Sequence, residues 1–362
     1  MKLKHYTSLV VLSLAMLWAP AVLHARSMPK EKDMVAYLMV FHRDDTHGLY
    51  MAMSRDGYHF TALNDAHPVI AGDTIANQKG IRDPHIYRGP DGAFYLALTD
   101  LHIYAQKEGY RTTEWERDGA TYGWGNNKGL VLMKSWDLIN WSHKIVNITD
   151  ISPKYSEIGC AWAPETIYNE KAGKLMIYFT MRFQNGPNRL YYVYANNDYN
   201  KLESEPQLLY EYPDKKTTAI DGDICYAQGK YHLFYVAHEG TPGIKQATSS
   251  KINADYQFDP RWIDEEPTAC EAPTVWKRIG EEKWVLMYDN YGREIHNFGF
   301  EETSDFEHFK QLGRFNEGGI MFSTNFDQPK HGAVVHLTNA EAKKLAKHWG
   351  LDYGKLARKQ KK

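Results

Sequence analysis

The sequence predicts an all-β protein: a five-bladed β-propeller whose closing blade is built from both chain ends, with a short C-terminal helix outside the ring. Three observations predict it: a turn motif repeated at blade spacing, Tyr-rich strand pairs ahead of the motif, and one unpaired strand near each end of the chain. With 362 residues, 43% hydrophobic and 24% charged, there is enough apolar material for a large core, which excludes a disordered chain. Aromatics make up 14%, a bias that suits pleated strands and hydroxyl-rich ligands better than long helices.

At the N-terminus, Lys2 and Lys4 precede an apolar run from Leu9 to Leu23, which ends at His24-Ala25. This is the layout of a secretory leader over residues 1–25, leaving one domain over 26–362 and a secreted or periplasmic protein. The run is short, is interrupted by Ser13 and Pro20, and has no Cys after it to carry a lipid, so no membrane insertion is expected after cleavage. Net charge is −2, and losing Lys2 and Lys4 makes it −4, which excludes a polyanion partner such as nucleic acid. The basic run Lys355, Arg358, Lys359, Lys361 and Lys362 reads as a solvated tail.

The turn motif is a small polar residue, Asp two positions on, and a bulky residue four further. It appears as Ser54, Asp56 and Phe60; Ser135, Asp137 and Trp141; Asn196, Asp198 and Leu202; and Thr303, Asp305 and Phe309, with a degraded copy between Ser249 and Phe258. The step is roughly 53 residues, within the range of repeat architectures. Strand pairs precede the last four copies in chain order: Asp83 to Tyr87 with Phe94 to Leu96, Trp162 to Tyr168 with Leu175 to Tyr178, Asp221 to Tyr226 with Tyr231 to Tyr235, and Glu271 to Trp276 with Trp284 to Tyr288. The first copy lacks an inner strand, while Gly332 to Leu337 follows the last copy unpaired; together they complete one blade and remove a sheet edge. Thr338-Asn339-Ala340-Glu341 then opens a helix through about His348. Between Asp100 and Gly129 lies extra length, rich in Tyr and Trp, expected as a loop over one face.

Cys160, Cys225 and Cys270 fit no metal or redox spacing; buried packing is expected, with a Cys160–Cys270 disulfide left open.

Inner strands of a propeller converge on one channel, and acids stand at their starts: Asp83, Asp221 and Glu271. Asp221 lies five residues before Tyr226 and Glu271 five before Trp276, but Asp83 only four before Tyr87, an offset that points to a β-bulge or a different depth for Asp83. Carboxyls sharing a cavity drive their pKa values apart, giving an acid and a base. Inverting glycoside hydrolysis needs such a pair roughly 6.5–9.5 Å apart.

Arg82-Asp83-Pro84, Trp162-Ala163-Pro164-Glu165, Ala219-Ile220-Asp221 and Glu271-Ala272-Pro273, in this order, resemble glycoside hydrolase family 43, five-bladed propellers acting on arabinose-, xylose- and galactose-containing plant glycans. The resemblance implies that Asp83 is the general base, Asp221 orients and tunes the acid, and Glu271 is the general acid. The family's usual Glu-Gly-Pro stands here as Glu-Ala-Pro. Ser54-Arg55-Asp56-Gly57-Tyr58 and Lys330-His331-Gly332 suggest the arabinosidase-like members of Bacteroidetes type. His331 is the residue through which the family's structural calcium would be held; no cofactor is otherwise required. Trp124 and Trp162 are candidate sugar platforms, and Arg82 and Arg293 candidate partners of the carboxylates.

The activity expected is that of an exported, inverting α-L-arabinofuranosidase on a carbohydrate substrate. The alternatives are exo-β-1,3-galactanase, β-galactofuranosidase or β-xylosidase, or, from another class, a non-catalytic glycan-binding propeller. A retaining, invertase-like mechanism needs an N-terminal Asn-Asp-Pro-Asn, and Arg43-Asp44-Asp45 does not match it.

Overall fold

The computed structural model describes residues 28–357; the expected leader, and the tail beyond Ala357, lie outside the described residues. Five antiparallel blades follow one another. The first begins with β1 (Met34–His42), β2 (Leu49–Ser54) and β3 (His59–Ala62). The second contains β4 (Ile81–Arg88), β5 (Phe94–Asp100), β6 (Gly129–Ser135) and β7 (Trp141–Asn147), with the four-residue helix α1 (Gly119–Tyr122) in its long loop. The third is β8 (Ile158–Asn169), β9 (Lys174–Phe183), β10 (Arg189–Ala195) and β11 (Gln207–Tyr210). The fourth is β12 (Ala219–Ala227), β13 (Lys230–Ala237), β14 (Gly243–Ser249) and β15 (Gln257–Phe258). The fifth is β16 (Glu271–Lys277), β17 (Trp284–Asn290), β18 (Asn297–Thr303) and β19 (Lys310–Arg314), after which β20 (Phe322–Thr324) and β21 (Lys330–Thr338) return to the first blade.

β21 pairs antiparallel with β1, Tyr37 opposite His336 and Val40 opposite Ala333, supplying the missing inner strand. β20 adds something the sequence did not suggest: it pairs parallel with β3, so the C-terminal segment closes the outer edge of the same blade as well. The ring is therefore clasped on both sides, with C-terminal strands covering both edges of the β1–β3 sheet.

The repeated motif forms the hairpin between the third and fourth strands. Ser54 Oγ accepts from Gly57 N–H at 2.9 Å, and Asp56 Oδ1 accepts from the Tyr58 and His59 N–H groups at 2.8 and 2.9 Å. The pattern recurs at Ser135 with Asp137 and at Thr303 with Asp305. A side chain that satisfies the turn's own donors lets these three hairpins of different composition adopt one geometry. In the third blade the Asn196 carboxamide does this work, accepting from Asn200 and Lys201 N–H.

Each interface between neighbouring blades holds its own hydrophobic cluster. Leu38, Leu96 and Val335 meet between the first and second blades, and α2 (Asn339–His348) buries Ala342, Leu345 and Ala346 there too. α2 starts with the capping box expected: Glu341 N–H donates to Thr338 Oγ1, and Thr338 N–H donates to Glu341 Oε2. The buried Arg88 clamps the same Glu341 through two nitrogens at 2.9 and 2.7 Å.

Of the aromatics in the predicted strand pairs, Tyr95, Tyr178, Tyr235, Trp276 and Tyr288 are buried and Tyr87 and Tyr168 half-buried, but Tyr226 is 60% exposed. The three cysteines are free thiols, Cys160 and Cys270 buried and Cys225 half-buried, so the disulfide left open does not form.

Candidate active site

Every inner strand carries one extra residue opposite its neighbour. Arg82 faces Thr99 and His85 faces Ala97, and the same slip occurs in β8, β12, β16 and β21. The bulged residues all have positive φ: Asp83 52°, Ala163 43°, Asp221 52°, Ala272 54° and His331 34°. Such strained backbone concentrates at functional sites, and Asp tolerates it better than most side chains. It also corrects the register read from sequence. Asp83 and Asp221 are equivalent, and Glu271 is the residue one position earlier, aligned with Arg82, Trp162, Ile220 and Lys330. Tyr226 is therefore one residue past the position of Tyr87, and a slip of one turns its side chain to the opposite face, into solvent.

The bulges are tied from blade to blade. The N–H of Asp83 donates to His42 Nδ1 at 3.1 Å, that of Ala163 to Thr99 Oγ1 at 2.8 Å, that of Asp221 to Thr180 Oγ1 at 3.0 Å and that of Ala272 to Asp221 Oδ2 at 3.3 Å. These bonds satisfy donors that a bulge would otherwise leave unpaired.

Above the bulges lies a cavity of about 470 Å³. Asp83, Asp221, Glu271, Arg82, Trp124, Trp162 and His331 all line it, so seven of the eight expected site residues come together. Arg293 does not: its guanidinium pairs with Glu317 at 2.8 Å. Tyr291, two residues earlier, lines the cavity instead, with Asp44, Asn188 and Lys330.

His331 is the centre of the charge network. Its Nδ1 lies 3.2 Å from Asp83 Oδ1, and its Nε2 lies 3.1 Å from Glu271 Oε1 and 3.8 Å from Asp221 Oδ2. Burial alone would lower its pKa, but Asp83, Glu271 and Asp221 outweigh that and raise it to about 10. Lys330 Nζ stands 3.2 Å from Glu271 Oε1 and 3.4 Å from Asp289 Oδ2. Burial pushes Glu271 up, yet Lys330 and His331 prevail and hold it well below the carboxylate range. Asp83, buried and bonded by Thr99 Oγ1 at 2.7 Å, is likewise held low, because His331 and Arg82 outweigh the cost of burial. Asp221 behaves oppositely: burial, reinforced by Glu271 and Asp83 against His331, raises it to about 7.

Arg82 pairs with Asp44 and stays 3.9 Å from Asp83 Oδ1. Trp162 is locked by its Nε1 donating to Gly125 O at 2.8 Å and by Arg182 against its face at 4.5 Å. Gly125 has φ 61°, and a Cβ there would come within 3.1 Å of the Trp162 ring. Trp124, on the long loop, meets Trp162 edge-on and remains 58% exposed over the cavity.

The side chains of Asp221, Glu271 and His331 are close enough to share a metal ion, and so are those of His85, Glu165 and Asp223, each two residues past the bulged residue of β4, β8 and β12. Calcium takes six to eight oxygen donors. Both ring nitrogens of His331 face carboxylates, Nδ1 toward Asp83 and Nε2 toward Glu271. In the second group His85 Nδ1 accepts from Thr166 N–H at 3.1 Å, so the hydrogen is on Nε2, facing Glu165 rather than a cation.

Lys330, Asp289 and Asp44 were not foreseen. Lys330 had a signal, since it precedes His331 as Glu271 precedes Ala272. Asp44 sits in the Arg43-Asp44-Asp45 segment weighed only as a nucleophile motif, and Asp289 lies on a second strand, which carried no marker.

This fold and this cavity of paired carboxyls define a propeller of the glycosidase class. A family model described as a probable glycosyl hydrolase domain, related to glycoside hydrolase family 43, matches residues 32–343, and the chain belongs to that family. An α-L-arabinofuranosidase of Bifidobacterium longum is 23% identical over 255 residues, 61% of this chain and 22% of that protein, so the chain spans about a fifth of the length of this curated relative. Among solved structures, xylan β-1,4-xylosidase from Bacillus halodurans superposes with a TM-score of 0.54 at 14% identity, covering 83% of this chain and 55% of that one. Cellvibrio cellulosa α-L-arabinanase gives 0.51 at 13% identity, covering 81% and 98%. These likenesses show the five-bladed fold.

Proposed function

We propose that this protein is an exported, inverting glycoside hydrolase removing arabinofuranosyl side chains from plant-type glycans. Asp83 acts as base, Glu271 as acid, and Asp221 orients the acid. One observation carries the reading: Asp83 and Glu271 face each other across the His331 ring in one cavity. An imidazole with a hydrogen bond on each side spans roughly the 6.5–9.5 Å that inverting pairs keep, more than the 5–5.5 Å of retaining ones. Asp83, ionised, can take a proton from the attacking water while the acid protonates the leaving oxygen. Trp124 and Trp162 offer ring faces and edges to the apolar side of a sugar.

The preference for arabinofuranose is supported by the Bifidobacterium relative. A panel of nitrophenyl α-L-arabinofuranoside, β-xyloside, β-galactoside and β-galactofuranoside tests it: turnover of the first is expected. Proton NMR of the first anomer released tests inversion, and release of the anomer with the substrate's own configuration overturns it. Silence on the whole panel and on natural arabinan would leave the glycan-binding propeller.

A further inference from the structure

One buried guanidinium holds both the aromatic wall of the cavity and part of its polar lining. Arg182, on β9 opposite Cys160, is buried, and every hydrogen bond it makes among the described residues goes to a carbonyl or carboxamide oxygen rather than to a carboxylate. A buried cation without an ion pair must fill its donors with other oxygens, and those oxygens are drawn in from separate loops. Nε donates to Tyr122 O at 3.1 Å and Gln184 O at 3.2 Å, Nη2 to Tyr122 O at 2.9 Å and Trp124 O at 2.6 Å, and Nη1 to Asn188 Oδ1 at 3.3 Å. Gly123, at φ 81°, permits this approach of the long loop, since a Cβ there would come within 2.8 Å of Arg182 Nη2.

Asn188, the residue just before β10, lines the cavity. Its backbone carbonyl accepts from Ala219 N–H at 3.2 Å, which fixes it beside the start of β12, two residues before Asp221. The orientation of its carboxamide is dictated by chemistry. A guanidinium only donates, and Cys160 Sγ, a weak donor, lies 3.5 Å from the same oxygen, so Oδ1 is turned to Arg182 and the NH2 group away from it. No described residue accepts from that nitrogen. We propose that Asn188 donates through Nδ2 to a hydroxyl of the sugar held in this cavity, and that Arg182 is the positioning residue that turns it. The inference rests on the reading of this cavity as a glycosidase site and adds a specificity contact to it.

The rest of the lining explains why a neutral donor matters here. The cavity's Arg82 and Lys330 are already committed, the first to Asp44 and the second to Glu271 and Asp289. Trp162 and Trp124 offer carbon surface, and Trp162 is covered on one side by the same Arg182 at 4.5 Å. A hydroxyl is recognised by a fixed neutral hydrogen-bond group whose own partner is missing until the sugar arrives, and such a group rejects an analogue that lacks the hydroxyl. Because Arg182 bonds the Trp124 carbonyl, covers Trp162 and turns Asn188, one residue sets the stacking surface and the donor in a single geometry before any ligand binds.

The test compares substrates that lack one hydroxyl at a time. On nitrophenyl α-L-arabinofuranoside, Asn188→Ala is expected to lower kcat/KM roughly 10-fold, the worth of one hydrogen bond from a neutral donor. On one of the 2-, 3- and 5-deoxy analogues the variant and the unsubstituted protein should agree within about twofold, because the acceptor is already gone. An undiminished loss on all three analogues overturns the proposal. Asn188→Asp keeps the acceptor for Arg182 and removes the donor; it is expected to lose activity as the alanine variant does, and full activity would show that only the tether to Arg182 matters. In the Arg182→Lys background, where an ammonium cannot replace the planar fork, Asn188→Ala should cost less than about twofold, and a full 10-fold cost there overturns the positioning role. Should Arg182→Lys not fold, NMR of the unsubstituted protein decides: nuclear Overhauser contacts from the Asn188 NH2 hydrogens to added arabinotriose are expected, and contacts to the Arg182 guanidinium instead overturn the orientation. If no arabinofuranoside is hydrolysed, the activity assigned above fails while the contact is still read by calorimetry. The Kd of whichever arabino-, xylo- or galacto-oligosaccharide binds should rise roughly 10-fold in Asn188→Ala. An unchanged Kd overturns the contact, and no binding of any of them defeats both readings.

Discussion

Asp83 and Asp221 occupy the same bulge on two different blades, each at a φ of 52°. The shared backbone geometry carries opposite electrostatics: Asp83 is beside Arg82 and a nitrogen of His331 and stays ionised, whereas Asp221 meets His331 only at 3.8 Å and is driven up to about 7. One structural position repeated around a ring thus supplies an ionised carboxylate and a proton-holding carboxyl, according to which cations the adjoining strands bring.

Replacing Glu271 by Gln keeps the side-chain shape and removes the transferable proton. We expect kcat on natural glycans to fall roughly 10²–10⁴-fold, with much less loss on dinitrophenyl glycosides, whose leaving groups need no acid. Asp83→Asn should lose activity on both kinds of substrate alike, since the attacking water needs its base whatever departs. Steady-state kinetics on the paired substrates separates the two roles.

Lys330→Met leaves two carboxylates without their ammonium. Asp289 is fully buried, its carboxylate oxygens have no hydrogen-bond partner, and among the described residues Lys330 is the one cation in ion-pair contact with it, at 3.4 Å. Removing one member of a buried pair costs about 3–5 kcal/mol, which urea unfolding would read as a lower midpoint. Lys330→Met/Asp289→Leu is expected to recover most of that loss, because no charge is then left stranded.

Glu301 provides a pH signature away from the cavity. It is buried with Gln311 Nε2 donating to it at 2.8 Å, and burial, reinforced by Asp264, raises it from 4.5 to about 8. The folded protein therefore keeps a proton that the unfolded chain releases: the stabilisation is complete below about pH 4.5 and is lost as pH rises through 8. Glu301→Gln should raise Tm at pH 8.5 by on the order of 3 °C and leave it near the unsubstituted value at pH 4.5, measured by calorimetry.

Trp124→Ala removes an exposed platform. KM on arabinan oligosaccharides should rise about 2–10-fold with kcat little changed and stability within about 0.5 kcal/mol. Trp162→Ala should lower both kcat and stability, since that ring also packs against Arg182 and fastens the long loop through Gly125.

The repeated turn, the Tyr-rich hairpins, the two-ended closing blade and the capped helix were legible in the sequence because each is written in local residue types at fixed spacing. So was the set of acids, which stand at strand starts. Other features lay beyond local reading. The register of the inner strands depends on a bulge that only pairing with the next strand reveals, which is why the offset seemed to belong to Asp83 when the displaced residue is Glu271. The outer clasp of β20 on β3 joins segments more than 250 residues apart, and Phe322 to Thr324 carries no strand signal of its own.

By itself, then, the sequence determined the propeller, its closure, and the identity of Asp83, Asp221 and Glu271 as the acids of one face. Only the tertiary structure decided which of them carry charge. Protonation depends on distance and burial, and Lys330 and His331 reach those acids from the far end of the chain, where ring closure rather than sequence proximity brings them into contact.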